Sequence, residues 1–245
     1  MKVVAINSSP KMDKGNTALV LNPFLEGMRE AGAEVELFYT KKLKINPCQG
    51  ESNCWFKTPG KCFQQDDMQL LYPMLREADI WVFATPLYVD GIAGPLKNLL
   101  DRLIPLIQPS IELRDGHCRH PLRVEHKNGQ LVFVSTCGFW EMDNFNPALA
   151  HMAAVCRNQG REFGGAVLRP HASALKRMLE MGRPVDDVRE AAKEAGRQLI
   201  KDGRMSPATL GIVSRELLPL EKYLQIANQR AQETSVALEK ELATP

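Results

Sequence analysis

Three short segments hold the residues best suited to chemistry, and each follows an apolar run. The first is Ser8-Ser9-Pro10-Lys11-Met12-Asp13-Lys14-Gly15-Asn16-Thr17. It offers small hydroxyls, lysines, a glycine and the start of a helix. Unpaired amides and the dipole at a helix N-terminus both favour an anion, so the segment suits a phosphate. It is neither a dinucleotide fingerprint nor a P-loop, because G-x-G-x-x-G and G-x-x-x-x-G-K are both absent. The alternative is an ordinary capped loop with Asn16 or Thr17 as N-cap. The second segment is Thr85-Pro86-Leu87-Tyr88-Val89-Asp90-Gly91-Ile92-Ala93-Gly94-Pro95. Pro86 stiffens it, Gly91 and Gly94 permit close backbone approach, and Tyr88 offers a flat amphipathic ring. The third is Thr136-Cys137-Gly138-Phe139-Trp140-Glu141, a hydroxyl, a glycine and two aromatics. Taken singly, the second and third also read as packed turns. No convincing catalytic triad or carboxylate pair accompanies them.

The elements around these segments alternate strand and helix. Lys2 to Asn7 reads as a buried strand and Asn16 to Ala31 as a helix striped by Leu19, Val20, Phe24 and Met28, stopped by Gly32. Val35 to Tyr39 is the second strand. Asp67 can cap a helix whose apolar face is Leu70, Leu71, Met74, Leu75 and Ala78. Ile80 to Ala84 is the third strand, and its unbroken apolar run suits a sheet covered on both faces. A helix from about Ala93 to Ile104, a strand from Leu131 to Ser135, a helix from Asn146 to Asn158, a short strand from Gly165 to Leu168 and a helix from Val185 to Lys201 follow. This order predicts right-handed crossovers and a doubly wound five-stranded parallel sheet, with the flavodoxin-like order 2-1-3-4-5. The three segments would then converge at the carboxyl edge of the sheet. The predicted division is an α/β domain over 1–204 and a helical C-terminal extension over 205–245, with a helix from Leu220 to about Leu242.

Composition narrows the partners. The 31 basic and 29 acidic residues leave +2, which gives no case for nucleic acid or an anionic membrane. No stretch approaches the roughly 18 apolar residues of a membrane span, and the early apolar run is too short for a signal peptide. Six irregularly spaced cysteines in 245 residues do not read as a disulfide framework, so reduced thiols and a cytoplasmic location are expected. Two segments exceed a minimal five-strand domain: Pro105 to Gly129 and the tail after Met205. They are expected to form a subunit interface, with Leu217, Leu218, Leu220, Tyr223, Leu224 and Ile226 too apolar a group for full exposure on a monomer.

Ser8-Ser9-Pro10 with Gly15-Asn16-Thr17, a cysteine segment ending in Asp66-Asp67-Met68, Thr85-Pro86-Leu87-Tyr88, and Leu96-Lys97-Asn98-Leu99-Leu100-Asp101-Arg102 form a combination. It resembles the NADPH-dependent FMN reductase-like group of flavodoxin-fold proteins, and within it the iron–sulfur flavoprotein-like branch. The resemblance covers about the first 140 residues well. It implies that Ser9, Lys11, Asn16 and Thr17 hold an FMN phosphate, with the Thr17 hydroxyl aimed at it. Pro86, Leu87, Tyr88 and Val89 would lie along the isoalloxazine, and Thr136, Cys137, Gly138 and Phe139 would meet its other side or edge. Asp101 and Arg102 would fix the helix and a dimer contact. The implied activity is an FMN-dependent oxidoreductase that takes hydride from NAD(P)H and passes electrons to a small acceptor such as a quinone or free flavin. The expected assembly is a homodimer or homotetramer. The alternatives are an electron-transfer iron–sulfur flavoprotein and a non-catalytic FMN-binding module.

The cysteine segment departs from that branch. Cluster-bearing relatives resemble Cys-x-x-Cys-x-x-Cys followed by a fourth cysteine; here Cys48, Cys54 and Cys62 match three positions and Glu51 stands at the remaining one. A [4Fe–4S] cluster is normally held by four thiolates, and a carboxylate suits it poorly. No metal is therefore expected, and Cys48 and Cys54 read as small packed hydrophobes. His117-Cys118-x-His120 lacks the further close ligands that structural zinc takes. His151 and His171 are expected in ordinary surface or core roles.

Overall fold

The structure, a computed structural model, describes residues 1–123 and 127–242, and of 238–242 only the helical backbone. Positions 124–126 of the predicted interface segment and 243–245 of the predicted extension lie outside the described residues. In chain order the elements are β1 (Lys2–Asn7), α1 (Asn16–Glu30), β2 (Glu34–Tyr39), α2 (Asn53–Phe56), α3 (Met68–Glu77), β3 (Ile80–Tyr88) and β4 (Gly91–Ile92). They continue as α4 (Gly94–Asp101), β5 (Glu112–Arg114), β6 (His117–Arg119), β7 (Gln130–Thr136) and α5 (Asn146–Asn158). The last are β8 (Glu162–Arg169), α6 (Ala172–Glu180), α7 (Asp186–Asp202), α8 (Pro207–Ser214) and α9 (Leu220–Leu242).

The main sheet runs β2-β1-β3-β7-β8, all parallel, which is the predicted 2-1-3-4-5 order. Its central strands are apolar throughout because helices cover both faces. Val4, Ile6, Trp81, Phe83, Leu131 and Phe133 pack against α3, α4 and α5. On the other face α1 lies against β3 and β7, and α7 and α8 against β8. Helices α1 and α7 meet backbone to backbone: a side chain at Gly27 would strike the Lys193 carbonyl, and one at Gly196 the Phe24 carbonyl. Lys193 to Glu26 (2.6 Å) and Arg197 to Glu30 (2.6 Å) flank that seam.

Several predicted elements differ. Strand β3 runs four residues beyond Ala84 because it pairs with β4 in a hairpin, Leu87 opposite Ile92 and Tyr88 opposite Gly91. Strand β8 is eight residues long rather than four. A bulge lies between its pairings with Leu131 and Phe133, where Gly165 takes φ +104°, and this glycine-rich irregularity hides the strand period. Leu70, assigned to the apolar face of α3, is 52% exposed, while Met68 and Tyr72 fill the core instead. Asp67 is the N-cap residue of α3, as expected, but its side chain makes no capping bond; it accepts from the Lys44 amide, and Asp66 accepts from the Met68 amide. Helices α6 and α8 and the β5–β6 hairpin were not predicted. The Asp115-Gly116 turn of that hairpin, both residues at positive φ, is the usual hairpin signal.

The chain divides into two units, Met1–Ser214 and Arg215–Pro245. Helix α8 belongs to the first: Gln198 Nε2 donates to Thr209 Oγ1 at 3.0 Å. The second is helix α9 with its lead-in, begun by the Tyr223 amide bonding the Pro219 carbonyl. Among the described residues no helix is long and apolar enough to cross a membrane.

Candidate functional site

The topological switch point lies between β1 and β3, where the chain turns to opposite faces, and ligands of doubly wound sheets bind at the carboxyl ends of such strands. Four loops meet at this edge, after β1, β3, β7 and β8.

The loop after β1 is pinned from below. Ser8 bonds the Ala84 carbonyl through both its amide (2.8 Å) and its hydroxyl (3.1 Å), tying β1 to β3. Asn7 is fully buried, and its Oδ1 accepts from the Ser9 amide at 2.9 Å. The Asn7 Nδ2 has no hydrogen-bond partner among the described residues. A Cβ on Gly15 would press on Ser9 Oγ, so a larger residue here would push that hydroxyl aside. Gly15, rather than Asn16 or Thr17, is the N-cap, and no side chain caps the helix. Its first amides are thus left for a ligand, with Lys11 and Lys14 exposed nearby.

Thr17 is 1% exposed on the sheet-facing side of α1, and its hydroxyl pairs with that of Thr136 at 3.0 Å, which joins the first loop to the third. Asn16 reaches sideways, its Nδ2 donating to Ser173 Oγ at 3.2 Å.

After β3, the hairpin presents Tyr88 and Val89 outward, 52% and 99% exposed. Val89 (φ +49°) and Asp90 (φ +57°) form a two-residue turn that normally prefers Asn and Gly, which is why sequence patterning passed over it. Thr85 Oγ1 accepts from the Ala93 amide at 3.0 Å and fixes the hairpin to the start of α4. Pairing of Pro86 with Thr136 sets this hairpin beside the loop after β7. There Cys137 is buried, its thiol pushed up by that burial, with Asp90 and Glu141 adding. Phe139 stands 62% exposed, and Gly138 borders open space. Pro86 and Leu87 are half-buried beneath the hairpin.

The loop after β8 was missed. Arg169 and His171 are both fully buried, and three backbone hydrogen bonds join them to the third loop: Cys137 amide to Arg169 carbonyl (3.0 Å), His171 amide to Phe139 carbonyl (2.6 Å), Ala172 amide to Cys137 carbonyl (3.0 Å). His171 thus takes the core position that was one of the two expected for it, tied by its backbone to the third loop. The only signal in the sequence was a Pro-His pair after an apolar run.

The cysteine segment is held by Arg102, 1% exposed, whose guanidinium makes a two-pronged pair with Asp66 (2.7 and 3.1 Å) and donates to Cys62 Sγ at 3.3 Å. Burial would raise the Asp66 carboxyl, but Arg102 and the Asn46 and Met68 amides outweigh it and hold it below its ordinary value. Burial first, then Cys62, Glu51 and Cys48, push the Cys54 thiol up to about 11. Among the described residues no three Cys, His, Asp or Glu side chains stand close enough to hold a metal. A cleft of about 550 Å³ lies at the opposite, amino-terminal edge of the sheet. Two ion pairs line it, Lys2 with Glu77 and Lys127 with Asp79.

The sequence profile of the NADPH-dependent FMN reductase family matches residues 1–138. An iron–sulfur flavoprotein of Methanocaldococcus jannaschii is 37% identical over 106 residues, 43% of this chain and 53% of that protein. A second from the same organism is 32% identical over 138 residues, 56% of this chain and 68% of that protein. The chain spans about half the length of several curated relatives it matches. Among solved structures, an NAD(P)H:quinone oxidoreductase from Methanothermobacter marburgensis shares the fold, with a TM-score of 0.54 at 19% identity over 81% of this chain and 96% of that one. With the profile covering more than half of its residues, this chain belongs to the NADPH-dependent FMN reductase family.

Proposed function

We propose that the protein is an FMN-dependent oxidoreductase that accepts hydride from NAD(P)H and delivers electrons to a small-molecule acceptor such as a quinone or free flavin. One observation carries the reading: an uncapped fifteen-residue helix begins above an unpartnered buried Asn7 amide at the switch point, beside loops that expose Tyr88 and Phe139. These residues fit a phosphate at one end and a flat ring at the other. The amides of α1's first turn, with Ser9, Lys11 and Asn16, would hold the phosphate. The hairpin from Pro86 to Val89 and the loop from Thr136 to Phe139 would flank the ring. FMN bound there supplies the redox chemistry, exchanging hydride and electrons with nicotinamide and acceptor. The chain's own task is to orient the two reactants and shield them from water, which requires no side-chain nucleophile.

The relatives' iron–sulfur name is not carried over to this chain, because Glu51 occupies a position where four-thiolate binding needs sulfur. The six cysteines are all unpaired, which supports a reducing, cytoplasmic setting. A homodimer or homotetramer completes the reading; of the tail expected as interface, Met205 to Ser214 packs on its own domain and helix α9 is the part proposed to meet a partner, with Leu220 and Leu224 38% and 48% exposed. Light scattering on Leu220→Glu/Leu224→Glu should report dissociation, and an unchanged assembly would move the interface elsewhere. The activity is tested by steady-state oxidation of NADPH and NADH with quinone, flavin and dye acceptors. No turnover with any acceptor would refute it.

A further inference from the structure

The segment from Arg169 to Lys176 touches both ends of the proposed cofactor site. At one end it joins the loop after β7 through the three backbone bonds above. At the other, Ser173 Oγ accepts from Asn16 Nδ2 at 3.2 Å, and Lys176 Nζ donates to the Lys14 carbonyl at 3.5 Å. Between them stands His171, with φ +35° and ψ +45°, a left-handed conformation that residues other than glycine rarely take. Such a conformation is unfavourable and persists only where its surroundings impose it. Three contacts do so here. The His171 amide bonds the Phe139 carbonyl, its ring stacks with that of Trp140 (6.2 Å between centroids, 19° between planes), and its Nε2 lies 2.8 Å from Arg169 Nη2.

Arginine only donates, so Nε2 must be the acceptor, and the ring proton sits on Nδ1. His171 is thus neutral and Arg169 carries the charge. Arg169 is itself braced by the carbonyls of Pro170 (2.7 Å) and Val213 (2.7 Å), the latter on α8. The chain of contacts runs from α8 through Arg169 and His171 to the ring-side loop, and through Ser173 to the phosphate-side loop.

We propose that Arg169 and His171 form a latch that sets the spacing between the phosphate end and the ring end of the site, with His171 as a positioning residue. This rests on the FMN reading above. A ligand that engages both ends needs that spacing, whereas a ligand lacking the phosphate engages only one. Breaking the latch should therefore weaken FMN more than riboflavin. A general loss of folded protein would weaken both by the same factor.

The experiment titrates the full-length apoprotein with FMN and with riboflavin, following flavin fluorescence, for the parent, His171→Ala and His171→Gln. Alanine and glutamine meet the left-handed backbone at similar cost, but the glutamine amide oxygen can still accept from Arg169. A hydrogen bond to a charged group governs roughly tenfold or more in an equilibrium. The FMN-to-riboflavin affinity ratio should fall about tenfold in His171→Ala and stay near the parent's in His171→Gln. If His171→Ala does not fold, His171→Asn takes its place, because asparagine tolerates the left-handed region and is too short to reach as histidine does. An unchanged ratio in a folded Ala or Asn variant, or equal losses for Ala and Gln, would overturn the latch alone. A parent that binds neither flavin would overturn the FMN reading and the latch with it.

Discussion

Two arginines bracket strand β8, and the difference between them separates the two edges of the molecule. Arg161, just before the strand, is 5% exposed and lies at the amino-terminal edge. Its guanidinium sits 3.8 Å from the Trp81 ring and donates to the carbonyls of Leu75 (3.2 Å), Ala78 (3.0 Å) and others around it. Those carbonyls end α3, so Arg161 closes a helix terminus and fills the edge with rigid backbone contacts. Arg169, at the strand's last residue, is equally buried but holds a histidine side chain in an uncommon conformation at the edge where the loops converge. Both are buried cations with backbone acceptors. One serves the fold, and the other is coupled to the loops at the carboxyl edge, which is where a site is built.

Removing Arg161 should have the largest effect on stability. Arg161→Met takes a donor from the Ala78 carbonyl and from others that share it, and removes a buried side chain packed on Trp81, a loss of about 3 kcal/mol, while the FMN-to-riboflavin ratio of the folded protein stays put. Denaturant unfolding beside flavin titration checks both halves. A changed ratio would erase the distinction between the two edges. Next comes Arg169→Lys, which keeps the charge but loses the fork. It should lower the ratio about as much as His171→Ala, and the double variant should add little, because the two residues act as one unit. Additive losses would show that they act separately.

The pH dependence of stability is the third discriminator. Burial, then Arg169, lowers His171 from 6.5 to about 4. The unfolded chain therefore binds a proton there that the folded chain refuses, so stability is full above pH 6.5 and declines as pH falls toward 4. His171→Gln should flatten that part of the melting-temperature profile, and an identical profile would mean that His171 titrates normally. The smallest effect belongs to Lys11→Met. An exposed lysine beside a phosphate is worth only about 1 kcal/mol, so FMN binding should weaken a few-fold and lose part of its salt dependence. Unaltered salt dependence would move the phosphate away from Lys11.

Much of this architecture was legible because its signals are local. The strand from Lys2 to Asn7 and the helix starting at Asn16 are marked by apolar period and a glycine boundary, and the sheet order follows from strand–helix alternation. The β3–β4 hairpin was not, because Val89 and Asp90 hold positive φ without the glycine that would announce it. Thr17 illustrates a second limit: sequence places it at a helix start, but only three-dimensional packing decides that it faces Thr136. A carboxylate at Thr17 would be buried, so it would test folding before it tested phosphate binding. His171 shows the third. Its role depends on Arg169, Phe139 and Trp140, partners brought together by strand pairing rather than spacing.

The central claim, an FMN site at the carboxyl edge that serves NAD(P)H-linked reduction, is tested most directly by an absorbance spectrum of anaerobically purified protein before and after NADPH. The account predicts flavin absorbance from about one FMN per chain, bleached by NADPH, with no stoichiometric iron or acid-labile sulfide. A colourless protein that cannot be reconstituted with FMN, or bound flavin that no reduced nicotinamide bleaches, would contradict it.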